Sequence, residues 1–291
     1  MKMRLFMFFA SILLFKNAWT KETETIQVTE EAIIQTNSIN LIKAAQDCSV
    51  ENANEILKIA EQLTPEQLLK LLNTKNYNGD TALQCACHEH RSVDILSSIL
   101  KAAQRLTPAQ LLELLNAKNN QGKNALMLAV YGAYSLDNVA AVHALLNAAQ
   151  SLTPQQTFQL LSARDFQLGV GDNVFMMAAV GHPSIETINA MIKATEKLTP
   201  DQLLKLFNAG DRHGTTILMM AKKREFVEAI LKSTERLTTN QFLELLNAKN
   251  NHDGNTAFTR AVYWGHKSVA IALLEAAKKR NVSDTLLQQL N

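Results

Sequence analysis

The sequence has few of the features that usually reveal a chemical function. Three cysteines are too few, and an odd number, for a disulfide framework. Aromatic residues make up 6% of the chain, and a formal charge of +2 gives no argument for binding nucleic acid or an anionic membrane. The chain contains no nucleophile elbow, phosphate-binding P-loop, HExxH zinc motif or glycine-rich dinucleotide turn. These absences argue against an enzyme, and we expect no cofactor.

Long hydrophobic runs are also missing. An apolar run of eleven residues, 5–15, is too short to span a bilayer, and it follows basic residues at positions 2 and 4. A basic start followed by such a run predicts a secretory signal peptide over residues 1–20, cleaved near Thr20/Lys21. The alternative is a buried N-terminal helix. We therefore expect an exported protein, periplasmic or secreted, with no stable membrane insertion after cleavage.

The rest of the chain is organised by a segment that occurs five times. The first copy reads LTPEQLLKLLN from Leu63. Its Thr suits a helix N-cap, the Gln three residues later completes a capping box, and Pro fills the first helical position in four copies. Each copy predicts a short helix of about two turns. The copies begin at Leu63, Leu106, Leu152, Leu198 and Leu237, at spacings of 39 to 46 residues.

Self-similarity at such a period indicates a solenoid of stacked units. After each capped helix comes a polar turn with a late Gly, then a short first helix, then a longer second helix. We therefore predict an all-α fold. Its parts are a flexible leader at 21–37, an N-terminal cap at 38–62, repeats at 63–105, 106–151, 152–197, 198–236 and 237–281, and a C-terminal cap at 282–291.

The segment that begins at Gly254 carries a family resemblance. Thr256-Ala257-Phe258 stands where ankyrin repeats have Thr-Pro-Leu, and Gly265-His266 matches their Gly-His pair. The chain from residue 38 onward thus resembles the ankyrin repeat family, of bacterial type. The usual ankyrin period is 33 residues, so the capped helix is an addition, which we expect to cover one edge of the stack away from the turn tips.

The resemblance implies an ankyrin-type solenoid that binds another protein, since the family uses its concave surface of turn tips and first helices for that purpose. Aromatic residues and Arg are preferred anchors in interfaces, and Trp264 is the strongest candidate. We expect a monomer that binds a protein and no nucleic acid. The candidate partner-binding residues are Tyr77, Asn78, Asn120, Gln121, Phe166, Leu168, Arg212, His213 and His252 at turn tips, and His88, Tyr131, Tyr134, Tyr263 and Trp264 on or after first helices.

Two other interpretations remain open at this point. The segment from Cys85 to His90 offers Cys85, Cys87, His88 and His90 as metal or redox groups. On a helix, the pairs three residues apart point in different directions, so packing roles are favoured over a metal site. The other alternative is a purely structural envelope protein.

Overall fold

The computed structural model describes residues 23–88, 92–131, 136–165, 171–181 and 184–290. The predicted signal peptide lies outside these residues. Within them the chain is helical and contains no strand, and its single isolated β-bridge joins Asp165 to Asp172. No helix among the described residues is both long enough and apolar enough to cross a membrane.

The N-terminal cap differs from the prediction. Helix α1 spans Thr23–Gln46, so the part of the expected leader that is described is helical, and α2 spans Val50–Ala60. Ile34 lies in the predicted leader and is buried. The apolar face of α1 that includes Leu41 therefore begins inside the leader. The two cap helices take the places of a first and a second helix, because α1 packs on the first helix of the next repeat and α2 packs on its second helix.

The five capped helices form as the sequence predicts, with eight or nine residues each. All five have both hydrogen bonds of the capping box, including the copy with Thr239 in place of Pro. A cap of this kind contributes about 1 kcal/mol, whereas each fully buried Leu contributes about 2 kcal/mol, so apolar burial dominates. The helices are α3 Pro65–Asn73, α6 Pro108–Leu115, α9 Pro154–Leu161, α12 Pro200–Phe207 and α15 Thr239–Asn247.

The first and second helices alternate with these. The first helices are α4 Ala82–Ala86, α7 Ala125–Tyr131, α10 Val174–Gly181, α13 Ile217–Met220 and α16 Ala257–Tyr263. The second helices are α5 Val93–Ala103, α8 Leu136–Ala148, α11 Ile185–Thr195, α14 Arg224–Ser233 and α17 Lys267–Lys279. Helix α18, Ser283–Gln288, ends the described chain and packs on α17.

Helices of the same kind stack on one another, which gives three columns. First helices pack on first helices, second on second and capped on capped, and each column runs the length of the repeats. The buried apolar residues of all three columns form one continuous core. In the middle of the stack, the rings of Phe175 and Phe207 meet edge to face at 5.3 Å and join a first helix to a capped helix. This arrangement confirms the predicted all-α solenoid.

Basic side chains link successive repeats at the ends of the second helices. Arg236 donates to the carbonyl oxygens of Thr195, Glu196 and Leu198, at 2.6 to 3.0 Å. These carbonyls lie at a helix C-terminus, where a cation is favoured. Arg105, Lys197 and Arg280 make the equivalent bonds. The corresponding residue of the second repeat is Ser151, whose hydroxyl bonds only within its own turn, to Ala148.

Candidate partner-binding surface

The polar turns owe their shape to one side-chain oxygen and one glycine. Asn76 Oδ1 accepts hydrogen bonds from the backbone N–H groups of Asn78 at 2.9 Å and Asp80 at 3.0 Å. Gly79 has φ +75°, a conformation that costs a residue with a Cβ about 1 kcal/mol. Three repeats later, Asp211 Oδ1 accepts the equivalent hydrogen bonds from the backbone N–H groups of His213 and Thr215. The turns thus project their tips in the same way in different repeats.

Neighbouring turns are also bonded to each other. The backbone N–H of Asn120 donates to Asn78 O, and Asn120 Nδ2 donates to Tyr77 O, both at 3.0 Å. Asn251 N–H donates to His213 O at 2.7 Å in the last pair of turns. The Asn120 side chain therefore has a role within the turns, although it was selected from the sequence as a partner-binding residue.

The tip residues that the sequence singled out are exposed where the structure describes them. Tyr77 is 85% exposed, an unusual fraction for an aromatic residue. Arg212 Nε lies 2.9 Å from His213 Nε2, so these two side chains are held together at one tip. Phe166 and Leu168 lie outside the described residues. The other exposed candidates at the tips are Asn78, Asn120, Gln121 and His252.

The ends of the first helices carry a second group of exposed residues. Tyr131 ends α7 and is 57% exposed, and Val180 is exposed at the equivalent place on α10. Lys123 Nζ lies 4.3 Å from the centre of the Tyr131 ring, a cation–π contact that the sequence did not reveal. His88 is half-buried, with Nε2 at 3.4 Å from Asp80 Oδ2. Tyr134 is outside the described part of the chain.

Helix α16 ends in a turn that fixes Trp264 at the surface. Gly265 has φ +70°, its N–H donates to Val262 O at 3.1 Å, and the N–H of His266 donates to Ala261 O at 2.8 Å. These are the two bonds of a Schellman C-cap. Trp264 is 61% and Tyr263 76% exposed, and their rings meet edge to face at 5.3 Å. This aromatic pair is the largest exposed apolar feature among the turns and first helices described.

Charge is unevenly distributed between the columns. The turns, first helices and following loops (74–88, 116–131, 163–181, 208–223 and 248–266) contain nine Lys and Arg against five Asp. The rest of residues 23–290, leaving out 89–91, 132–135 and 182–183, has fifteen Lys and Arg against twenty Asp and Glu. On the described turns, first helices and loops, the exposed charged groups are Lys75, Arg212, Lys222, Lys223 and Lys249, against Asp253. This surface is therefore basic in a chain that is nearly neutral.

The third turn brings carboxyl groups together. Asp165 N–H donates to Asp172 O at 3.0 Å, and the Oδ1 atom of each residue is buried with no hydrogen-bond partner among the described residues. Burial, together with the nearby Asp211 and Asp165 carboxylates, raises the pKa of Asp172, and Arg164 opposes this increase. The ionised form of Asp172 is thus disfavoured in the folded chain.

The cysteines that the sequence offered as metal or redox groups are buried. Cys85 accepts from Asn76 Nδ2 at 3.6 Å, and Cys87 is fully enclosed in the core. Burial, with the neighbouring Cys85, raises the pKa of the Cys87 thiol, which keeps it protonated and a poor nucleophile. His90 lies outside the described residues, and those that are described form no group of three or more metal-ligating side chains.

Two shallow depressions lie on the column of capped helices. One, of about 420 Å³, is lined by Asn73 and Glu113, whose Nδ2 and Oε1 atoms are 3.1 Å apart. The other, of about 510 Å³, has Asn208 and Glu244 at the same positions of later repeats, at 3.4 Å. Neither includes a residue that the sequence selected for partner binding.

Comparisons with known proteins identify the class of this fold. No protein-family model and no curated protein matches the sequence. Solved structures do match: EF0377, an ankyrin repeat protein (TM-score 0.54, 15% identity, 80% of this chain and 96% of that one), and an ankyrin repeat domain from Acinetobacter baumannii AYE (0.51, 20%, 81% and 97%). A third is a chain from the complex of the predatory endopeptidase Bd0816 from Bdellovibrio bacteriovorus with immunity protein Bd3460 (0.52, 20%, 81% and 97%).

These likenesses cover most of both chains, so the repeating unit as a whole has the ankyrin arrangement of turn, first helix and second helix. The chain has the ankyrin-repeat fold, as its sequence predicted. It differs from the usual 33-residue repeat by the capped helix of each unit, which forms the third column.

Proposed function

We propose that this chain is a non-enzymatic scaffold that is exported from a bacterial cell and binds a protein on its turn tips and first-helix ends. The observation that supports this proposal is the concentration of exposed aromatic residues and cations on that surface. Aromatic side chains and Arg supply much of the binding energy of interfaces, and exposed apolar groups gathered on one face mark interaction sites. One chain of similar fold occurs in a complex of two proteins, which agrees with a protein partner.

The partner proposal is tested by co-purification. The tagged full chain is produced in its source organism, and recovered proteins are quantified by mass spectrometry. The change is Tyr263→Ala with Trp264→Ala, which removes the exposed aromatic pair. The control is Ile271→Ala, because Ile271 is 48% exposed on the second helix α17. We expect a protein that is recovered with the wild type and with the control but lost with the aromatic variant.

An unchanged set of recovered proteins in the aromatic variant would show that this surface does not hold the partner. Circular dichroism of each variant separates lost binding from lost folding, since all three substituted residues are exposed and none contributes to the core. A chain that recovers no protein would count against the scaffold function itself.

Export rests on the sequence of residues 1–20 and is tested separately. Fusion of residues 1–30 to alkaline phosphatase, which is active only outside the bacterial cytoplasm, should give active enzyme. Replacing two leucines of the apolar run, Leu13 and Leu14, by Arg should abolish that activity, because a charged segment no longer has the hydrophobicity of a signal peptide. Equal activity from both fusions would contradict export by this segment.

A further inference from the structure

We infer that the partner docks on the aromatic pair Tyr263–Trp264 through an acidic polypeptide segment that carries apolar side chains. This inference rests on the proposed scaffold function and adds the chemistry of the partner and the place where it binds. Three features carry it: the exposure of the aromatic pair, the charge around it, and the pairing of most of the nearby acidic groups with other residues.

The aromatic pair is accessible and held in a defined position. The Schellman turn at Gly265 fixes the backbone of Trp264, and the edge-to-face contact with Tyr263 restricts both rings. Because less side-chain freedom is lost on binding, a fixed exposed aromatic pair favours association. It offers a partner an apolar platform at the end of the first-helix column.

The loop of the preceding repeat brings lysines to this platform. Helix α13 packs on α16 and α14 packs on α17, so the connecting segments 221–223 and 264–266 take equivalent places in adjacent repeats. Lys222 and Lys223 in the first segment are exposed, as is Lys267 directly after the second. The platform is therefore bordered by three lysines from two repeats.

Most of the nearby acidic side chains pair with other residues, and the exposed Glu225, two residues after Lys223, forms no ion pair with these lysines. Glu228 and Glu275 both pair with Arg224, at 2.7 Å from Nε and Nη2. Asp253 faces Arg260 at 4.0 Å. Within the described part of the chain, no carboxylate forms an ion pair with Lys222, Lys223 or Lys267. Arg224 is thus satisfied within the protein, whereas the three lysines present their charge to a partner.

The amount of charge favours a polypeptide over other anionic partners. Lipid recognition by basic clusters uses roughly four to eight Lys and Arg, and tight phosphate-backbone binding involves roughly six to ten contacts. Three lysines beside one aromatic pair suit a short segment with two or three carboxylates and apolar side chains between them. Complementary charge of this kind sets specificity and association rate, while the aromatic contact supplies affinity.

Fluorescence of Trp264 tests the inference directly. The full chain has two tryptophans, so Trp19→Phe leaves Trp264 as the reporter. The probes are a peptide of alternating Glu and Leu, and the same peptide with Gln in place of Glu. We expect the Glu peptide to change the emission of Trp264 and to bind about tenfold more tightly than the Gln peptide, with an affinity that falls as salt rises.

Charge reversal provides a matched pair of variants. Lys222→Glu with Lys223→Glu should weaken binding of the Glu peptide by about tenfold or more. Lys278→Glu with Lys279→Glu, another exposed pair of adjacent lysines, at the end of α17, should leave binding unchanged. Equal effects of the two reversals, equal affinity for the two peptides, or no response to either peptide would overturn the inference.

Two further arms separate this inference from its alternatives. If vesicles of phosphatidylserine in phosphatidylcholine shift Trp264 emission and the Glu peptide does not, the platform binds lipid and the inference is wrong. The co-purified partner gives the other arm. A partner that needs Trp264 but is still recovered with Lys222→Glu and Lys223→Glu would leave the scaffold function standing and refute the acidic segment.

Discussion

The bonds between neighbouring turns predict that equivalent glycines differ in their importance for stability. Gly79 and Gly254 are the glycines with positive φ near the ends of the first and last turns, at +75° and +69°. Replacing either by Ala costs about 1 kcal/mol for the left-handed backbone conformation. The effect of the added methyl group on the unfolded chain is the same in both variants. Any further difference therefore reports on the surroundings of the glycine in the folded stack.

Those surroundings differ in a way that sets the expected magnitude. A Cβ at Gly79 would lie 2.7 Å from the backbone nitrogen of Asn120, whereas a Cβ at Gly254 meets no atom within 4 Å. Relief of the clash at Gly79 moves the next turn and breaks the two bonds that Asn120 makes to Asn78 and Tyr77, each worth about 1 kcal/mol. We expect Gly79→Ala to lose about 3 kcal/mol and Gly254→Ala about 1 kcal/mol.

Urea denaturation followed by far-UV circular dichroism measures both losses in the free energy of unfolding. Gly214→Ala adds an intermediate case, because its Cβ would meet only the end of the Asn251 side chain, at 3.0 Å. That side chain has room to rotate, so the loss should fall between the other two. Equal losses at Gly79 and Gly254 would refute the conclusion that turn-to-turn bonding stabilises the stack.

The remaining predictions concern the repeat junctions, the third turn and the caps. Arg236→Met should lower the free energy of unfolding by about 1–2 kcal/mol in urea denaturation, because three carbonyl groups lose a charged donor that is itself partly solvated. Ser151→Arg should raise that free energy by supplying the missing link, and an unchanged value would count against the junction as the cause. Asp172→Asn should raise the melting temperature at neutral pH, since the pKa of Asp172 is raised and its ionised form is penalised in the folded chain. In calorimetric scans this gain should disappear as pH falls below the ordinary pKa of Asp, about 3.9, and a gain independent of pH would contradict the charge explanation. Thr199→Ala should cost about 1 kcal/mol in the same urea assay by removing the acceptor for the Gln202 N–H at 3.2 Å, whereas a loss near zero would mean that the cap adds nothing.

The parts of the fold that could be predicted from the sequence are those set by local interactions. Each capping box joins residues three positions apart, so Thr64 and Gln67 specify a helix start without any help from the rest of the chain. The turn glycines and the Asn or Asp residues before them act over the same short range. Because these signals recur at a regular period, they also predicted stacking, whereas the ankyrin type of the fold followed from the resemblance of the segment at Gly254 to that family.

Interactions between repeats could not be predicted in this way. The bond from Asn120 to Tyr77 joins residues 43 positions apart, and it gave the Asn120 side chain a role inside the scaffold. The helical start of the N-terminal cap was missed because its packing against α4 depends on a partner distant in sequence. The hydrogen bond from Arg236 to Thr195 O, at the end of the preceding second helix, could not be predicted for the same reason.

The sequence alone determined that the chain builds helices from capped, repeated units, because hydrogen bonds within a few residues are encoded locally. It also supplied the aromatic residues and the nearly neutral total charge. Only the tertiary structure decided which of these groups face outward together. Stacking withdraws most Asp side chains of the turns into burial or backbone bonding and leaves Lys222, Lys223 and Trp264 exposed. A basic, aromatic surface on a nearly neutral chain results from that packing, since burial and charge pairing depend on contacts between repeats.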